Sequence, residues 1–366
     1  MRSISGLTPR WASPPGETIS AVLNERQIAV EQFASQINLT EDEAQQLLLG
    51  TYAITLGLAR DLSRSLGGAT EFWMTREAQY REDLTTVYAD QWAEQFPVNQ
   101  MAELGWINRP TDWHQRIEQV FEFFDIEDVK DWESEYEVQI SDARFRSSKT
   151  FSLDHATASV WFRACERAAD LLGQDLKEFD VRRFEQVLPE IRTLTKRKDP
   201  RSFIPELTRI CASVGVAVVV VPAPSGCPAS GAARMYKGRP LIQLSGRYLS
   251  DDHFWFTFIH EAAHVILHDL TLPFVDEMEF EGHDSGAEEE ANSYANAIIF
   301  NAYLPTAKDA KRGRRHVISV ALKNGVAAGL VVGYLQHSGQ LAYNRLNTLK
   351  RRYIWQGTIL EMERRK

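Results

Sequence analysis

Cysteine is scarce in this chain. Cys165, Cys211 and Cys227 are odd in number and widely spaced, which excludes a disulfide framework and suits reduced thiols. Long apolar runs are missing as well. No segment approaches the ~18 uninterrupted apolar residues of a membrane span, and the start, Met1-Arg2-Ser3-Ile4-Ser5-Gly6, lacks the apolar stretch of a signal peptide. No membrane association and a cytoplasmic location are therefore expected. Internal repeats and low-complexity tracts are also absent. What is present is ordinary: 44% hydrophobic and 25% charged residues exclude global disorder and fibrous repeats. A length of 366 residues predicts two to three domains.

The net charge of −9 is unevenly spread. Residues 306–366 hold 13 Lys/Arg against 3 Asp/Glu, a surplus of 10 that leaves −19 for the remainder. Such a tail suits either contact with nucleic acid or folding back onto its own acidic body, and the second reading is the simpler one.

Residues 17–68 read as four short helices, over 17–28, 30–37, 40–49 and 55–66. Thr40-Glu41-Asp42-Glu43 fits a capping box, Gly50 and Gly67 sit where helix ends want positive φ, and Asn38 suits a left-handed turn. Two small helices separated only by Asn38 and Leu39 make a helix-turn-helix pattern. Through Val30-Glu31-Gln32-Phe33-Ala34 and Gly67-Gly68-Ala69-Thr70-Glu71-Phe72-Trp73 the segment resembles the XRE-type helix-turn-helix domain of HigA-like antitoxins. That resemblance implies five helices, often DNA binding, and a surface through which the chain can oligomerise. Gln45 and Gln46 are the candidates for touching bases. The helix that carries them has Glu41, Asp42 and Glu43 and no Lys or Arg, which argues against phosphate contact.

Residues 118–137 contain nine acids and one lysine interleaved with aromatic residues, and are expected to form an exposed helical connector. Polar residues 141–154 mark a boundary. Gly215 to Val221 is a β-branched run ended by Pro222, a buried strand by pattern. Met235 to Leu244 reads as a hairpin around Lys237-Gly238.

His260-Glu261-Ala262-Ala263-His264 matches H-E-x-x-H. On a helix the two imidazoles, four residues apart, share a face and can converge on one ion, while Glu261 lies beside its open position. With nine His in 366 residues the pattern alone is modestly informative. Context strengthens it, because 254–270 lacks Gly and Pro and is apolar nearly all round, so its polar stripe is buried and needs partners. A third ligand is sought in Ser285 to Asn292. Glu288 is the leading donor, with Asn292 one turn on and placed to hold a ligand histidine. Glu289 and Glu290 remain alternatives, and Ser285 with Glu288 also fits a capping box. His268 continues the stripe one turn beyond His264 and reads as a neighbour of the ligands rather than a ligand. Two imidazoles and a carboxylate suit one Zn2+ per chain, with Glu261 taking a proton from the attacking water and passing it to the leaving nitrogen. Tyr294, Tyr236 and His283 are candidates for stabilising the oxyanion, and an edge strand near Ala232 to Tyr236 could align an extended substrate.

Phe254-Trp255-Phe256-Thr257 leading into the motif, and Glu288-Glu289-Glu290-Ala291-Asn292-Ser293-Tyr294-Ala295, resemble the ImmA/IrrE family of metallopeptidases. The resemblance covers about residues 150–300 and extends loosely to Lys350-Arg351-Arg352-Tyr353. It implies a zincin-like fold, His260, His264 and Glu288 as zinc ligands, Glu261 as the catalytic residue, and helix-turn-helix repressors or antitoxins as substrates. Where the family often reads Leu-Leu-Met-Pro, this chain has Ile298-Ile299-Phe300-Asn301 and delays its proline to Pro305.

The expected fold class is α+β, mostly α. It comprises a helix-turn-helix bundle (1–85), an acidic helical connector (86–150), a metallopeptidase domain with a small sheet (151–305) and a basic helical region (306–366). The function expected is a regulatory zinc endopeptidase that cuts a partner protein. The alternative is a DNA-binding, antitoxin-like regulator whose metal site is structural or vestigial.

Overall fold

The computed structural model describes residues 10–137, 155–172, 176–270, 274–276 and 286–363. Their contacts divide the chain into two units, one reaching to Gln95 and including 112–117, the other taking 96–111 and 118 onward. The boundary region 141–154, His283 and Ser285 lie outside the described residues.

The first unit holds α1 (Pro15–Arg26), α2 (Val30–Gln36), α3 (Glu41–Leu49), α4 (Leu56–Leu66) and α5 (Thr70–Ala93). Thr40 caps α3 in a reciprocal box with Glu43, Asn38 takes φ 56 and Gly50 φ 81. The turns thus form where side chains tolerate or supply left-handed backbone. Ile19, Phe33, Ile37, Leu47, Leu62 and Trp73 make the core. Gln45 and Gln46 are exposed, and their amides lie 3.5 Å from Glu41 and 2.9 Å from Asp42, so both are engaged by acids of their own helix.

The second unit begins with α6 (Val98–Glu103). Helix α7 (Trp113–Phe124), whose residues up to Ile117 belong to the first unit, and α8 (Val129–Trp132) carry the acidic segment, followed by α9 (His155–Leu172), α10 (Val181–Leu194) and α11 (Pro200–Ala212). The expectation of an exposed connector holds only for one face. Val120, Phe123, Phe124, Trp132 and Tyr136 are buried, Trp132 donates to Ser159 and Tyr136 to Glu166 on α9. The spacing of its aromatic residues gives the segment a core-facing side, and the carboxylates take the other.

Strands β1 (Ala217–Val220), β2 (Gly231–Tyr236) and β3 (Arg239–Leu244) follow, then α12 (Asp251–Leu267), β4 (Phe274–Asp276) and α13 (Gly286–Ile299). The sheet order is β1-β3-β2-β4, with β1 and β3 parallel and the other pairs antiparallel. Lys237 (φ 49) and Gly238 (φ 76) make the β2–β3 turn, as a tight hairpin of right-handed twist requires. One expectation is corrected here. Gly231, Ala232 and Ala233 pair with Asp276, Val275 and Phe274, so β4 occupies the beginning of the edge expected over Ala232 to Tyr236, and among the described residues no strand pairs with Arg234 to Tyr236 on that side.

The region after 305 also departs from expectation. Helices α14 (Ala307–Lys311), α15 (Arg314–Asn324) and α16 (Ala328–His337) are followed by a hairpin of β5 (Tyr353–Gln356) and β6 (Ile359–Met362), so the basic region is not wholly helical. Val317, Val331, Leu335, Tyr353 and Leu360 belong to the same core as Phe203, Trp255 and Phe258 of α11 and α12. No break in packing occurs at 305. Among the described residues no single helix is long and apolar enough to cross a membrane; α15 and α16 qualify only as a pair bent by 108°, and their apolar faces are buried.

Two of the surplus cations, Lys350 and Arg351, fold back onto acids, in the direction of the simpler reading of the charge asymmetry. Lys350 Nζ lies 2.5 Å from Asp252 Oδ2. The Arg351 backbone N–H donates to Asp251 Oδ1 at 2.9 Å, while its guanidinium donates to the carbonyls of Thr195, Lys196 and Arg197 at the end of α10, where a cation offsets the helix dipole. Burial, then the neighbouring Asp252 carboxylate, push the Asp251 pKa up to about 7, against the opposing pull of Arg351. A carboxyl whose pKa is raised on folding stabilises the protein fully below its unfolded pKa of ~4, and that contribution is lost as pH rises through about 7. Asp251→Asn should therefore flatten the pH dependence, making the variant more stable than the parent at pH 8 by about 1–3 kcal/mol. Urea titrations at pH 5 and pH 8 check this, and an unchanged slope between the two would refute the assignment.

Candidate metal centre

Helix α12 follows Ser250, and Asp251 and Asp252 stand in its first turn, where carboxylates complement the helix dipole. It runs through the core, so that Phe254, Trp255, Phe258, Ile259, Ala262 and Ala263 are all buried. His260, Glu261 and His264 are carried inside with them, at 2%, 0% and 1% exposure. Three ionisable side chains in an apolar interior are costly unless they bind something. Helix α13 packs alongside and presents Glu288 from its first turn.

His260 Nε2 lies 3.0 Å from His264 Nε2 and 3.1 Å from Glu288 Oε2, and His264 Nε2 lies 3.5 Å from Glu288 Oε1. These spacings match a tetrahedral ion with ligand bonds of ~2.0–2.1 Å, whose donors sit roughly 3.3 Å apart. His260, His264 and Glu288 form the metal-capable group of His, Cys, Asp and Glu side chains found among the described residues. The protonation states also fit. Burial, outweighing the pull of the Glu288 carboxylate, lowers the His264 pKa and favours neutral imidazole. Burial would raise that of Glu288, but the adjoining His260 and His264 side chains prevail and hold it below the usual carboxylate range. Neutral imidazole and ionised carboxylate are the forms that bind metal.

The outer contacts aim both rings. Asn292 Oδ1 stands 3.1 Å from His260 Nδ1; an amide oxygen only accepts, so Nδ1 carries the proton and Nε2 keeps its lone pair. His268 Nε2 lies 3.2 Å from Glu290 Oε2, and His268 Nδ1 lies 3.0 Å from His264 Nδ1. A carboxylate only accepts, so His268 donates to it through Nε2; with His268 Nδ1 as the acceptor, His264 donates from Nδ1 and again frees Nε2. This places the three glutamates that the sequence left open: Glu288 meets the two imidazoles, Glu290 meets His268, and Glu289 is exposed. His268, which ends α12 in extended backbone, bears on His264 from behind.

Sequence reasoning missed Gly231. A Cβ built there would lie 2.5 Å from Thr257 Cγ2 and 2.6 Å from Glu261 Oε1, so the first residue of β2 must be bare for the Glu261 carboxylate to occupy its place. The only sequence signal was a glycine at the start of a strand. Gly231→Ala should displace Glu261, lowering turnover of any substrate at least tenfold while leaving metal affinity within about twofold, because the atoms that would meet the added Cβ belong to Thr257 and Glu261 and not to a proposed ligand; metal titration and turnover measured on the same preparation separate the two. The tyrosines considered for the oxyanion are engaged elsewhere: Tyr294 donates to Glu185 at 3.1 Å and Tyr236 to Asp170 at 3.1 Å.

No curated protein matches the chain. The family model for the IrrE N-terminal-like domain, Peptidase_M78, matches residues 215–350. The matched span starts just before β1, contains the sheet, α12 and α13, and continues past residue 305 to Lys350, the partner of Asp252. Over that span the chain is similar to the IrrE N-terminal-like domain of a metallopeptidase family, and it is this span that carries the His260, His264 and Glu288 cluster.

Proposed function

We propose that this chain is a zinc-dependent endopeptidase of regulatory type that cuts a partner protein, such as a helix-turn-helix repressor or antitoxin. The observation that carries the reading is the convergence of His260, His264 and Glu288 beside the buried carboxylate of Glu261. His260, His264 and Glu288 would hold the ion, one per chain. When bound, the ion would polarise a peptide carbonyl and lower the pKa of a water molecule towards ~7. Glu261 accepts that water's proton and delivers it to the nitrogen of the breaking peptide bond. Asn292 and His268 hold the imidazoles in the tautomers that face the ion, and the helix that carries them is fixed at its start by the 350–351 segment. An extended substrate finds main-chain partners at the outer edge of β4.

Against the antitoxin-like alternative, α3 exposes Glu41 and Asp42, and these engage the two glutamines that would read bases. The first unit is accordingly proposed to bind protein rather than DNA, with self-association through it a further possibility to measure. The test uses the full chain purified without added metal. About one equivalent of zinc by elemental analysis, and a discrete cut in the product of a neighbouring gene by mass spectrometry, are expected. Less than a tenth of an equivalent with no uptake on titration would refute the site, while an intact site with no cut partner and nanomolar, salt-resistant binding to its own upstream DNA would favour the regulator.

A further inference from the structure

Seven cations of the second unit come from two runs far apart in sequence, Lys196-Arg197-Lys198 with Arg201, and Lys350-Arg351-Arg352. The structure brings the runs together. Arg351 reaches the carbonyls of 195–197, and between the two segments opens a cleft of about 480 Å3, within the range of small-molecule sites. Lys198, Arg201, Lys350, Arg351 and Arg352 line it, against the acids Asp199 and Glu363. Some of these charges are already matched. Arg201 lies 3.0 Å from Asp199 and 3.4 Å from Glu361, and Lys350 is paired with Asp252. Lys198 and Arg352 are exposed, and neither has an acidic partner among the described residues; the Arg352 guanidinium donates to the neutral carbonyl of Tyr248 at 3.3 Å. Helix α11 starts at Pro200, between the lining residues Asp199 and Arg201, so the positive end of its dipole adds to the field in the cleft.

The lining narrows the choice of ligand. It holds no aromatic residue, so nothing in the cleft stacks a nucleobase, as binding of single-stranded nucleic acid requires. Leu349 and Met362 add apolar surface for the carbon part of a small molecule. Two accessible cations without acids match a group of charge about −1.5 to −2, which a phosphomonoester carries near neutral pH, whereas a phosphodiester carries a single negative charge.

We propose that this cleft binds a phosphomonoester, its dianion held by Lys198 and Arg352 beside Arg351. Binding there needs neither the metal nor peptidase activity. Arg352 continues the segment whose Lys350 and Arg351 meet Asp252 and Asp251 at the start of α12, so a ligand that ties Arg352 to Lys198 also braces the clamp on the helix of His260 and His264.

The test is calorimetric titration of the full-length chain, purified without added metal, with methyl phosphate, dimethyl phosphate and a phosphoserine pentapeptide. Methyl phosphate should bind about tenfold more tightly than the dimethyl ester, and Lys198→Ala and Arg352→Ala should each weaken it by about tenfold, the scale of one hydrogen bond to a charged group. Arg352→Lys, which keeps the charge, should retain most of the affinity. Both side chains are exposed, so without ligand each alanine variant should unfold at the urea midpoint of the parent, while saturating methyl phosphate should raise the midpoint of the parent alone. A pentapeptide that binds within about twofold of methyl phosphate assigns the site to a free ester; one bound about tenfold more tightly assigns the phosphate to a partner protein, and both results uphold the chemistry. Equal affinity for the two methyl esters, affinity indifferent to both alanine variants, or a parent that methyl phosphate neither binds nor stabilises overturns the proposal.

Discussion

Glu261→Gln should leave the fold and zinc content close to those of the parent and reduce cleavage of any substrate by ~10²- to 10⁴-fold, the usual cost of losing a general base. Gln is isosteric with Glu but cannot take up a proton at neutral pH. Glu261 is not among the three donors that converge, so metal should be indifferent to the change. Glu288→Ala removes an anionic donor instead, so its first effect should be on zinc affinity, with activity partly returning in excess zinc. Occupancy by elemental analysis alongside turnover on one preparation distinguishes the roles. Metal loss in Glu261→Gln with full occupancy in Glu288→Ala would show that the two carboxylates had been exchanged in the assignment.

The second large effect is on stability. Lys350 and Asp252 form an ion pair with side chains 8% and 6% exposed. Lys350→Met fills a similar volume but leaves the Asp252 carboxylate buried without its cation, which costs about 3–5 kcal/mol. Removing both charges, in Asp252→Asn with Lys350→Met, should recover most of that loss, since the cost lies in the uncompensated charge rather than in the missing attraction. Urea midpoints of the parent, the single variant and the double variant decide it. A single variant as stable as the parent would mean that water reaches Asp252 and that the pair contributes little.

The centre was legible because its chemistry is local. Four residues between two histidines set their common face, and a glutamate and asparagine four apart on another helix set theirs; the structure adds that the two faces meet and that Glu290 serves His268. Strand β4 was not legible, since a three-residue pairing has almost no periodicity to read, and its presence on β2 displaced the edge expected at Ala232. The aromatic residues of 118–137 were visible, but net charge dominated the reading, although period rather than charge decides which face is buried. The hairpin at 353–362 holds no basic residue; it was missed because residues 306–366 were read by their charge as a whole, although Tyr353-Ile354-Trp355 and Ile359-Leu360 around Gly357 carry a strand-and-turn pattern. Gly231 and Lys350 act through residues distant in sequence, and no local pattern marks such partners.

The anchoring of α12 has a consequence for synthesis. Chains emerge from the ribosome amino end first and fold as their parts become available. The helix bearing His260, Glu261 and His264 is complete well before Lys350 and Arg351 are added, and until then Asp251 and Asp252 lack the groups that they meet in the finished protein. A nascent chain can therefore carry every residue of the metal centre without the clamp that fixes it. The clamp forms only after translation has passed residue 351.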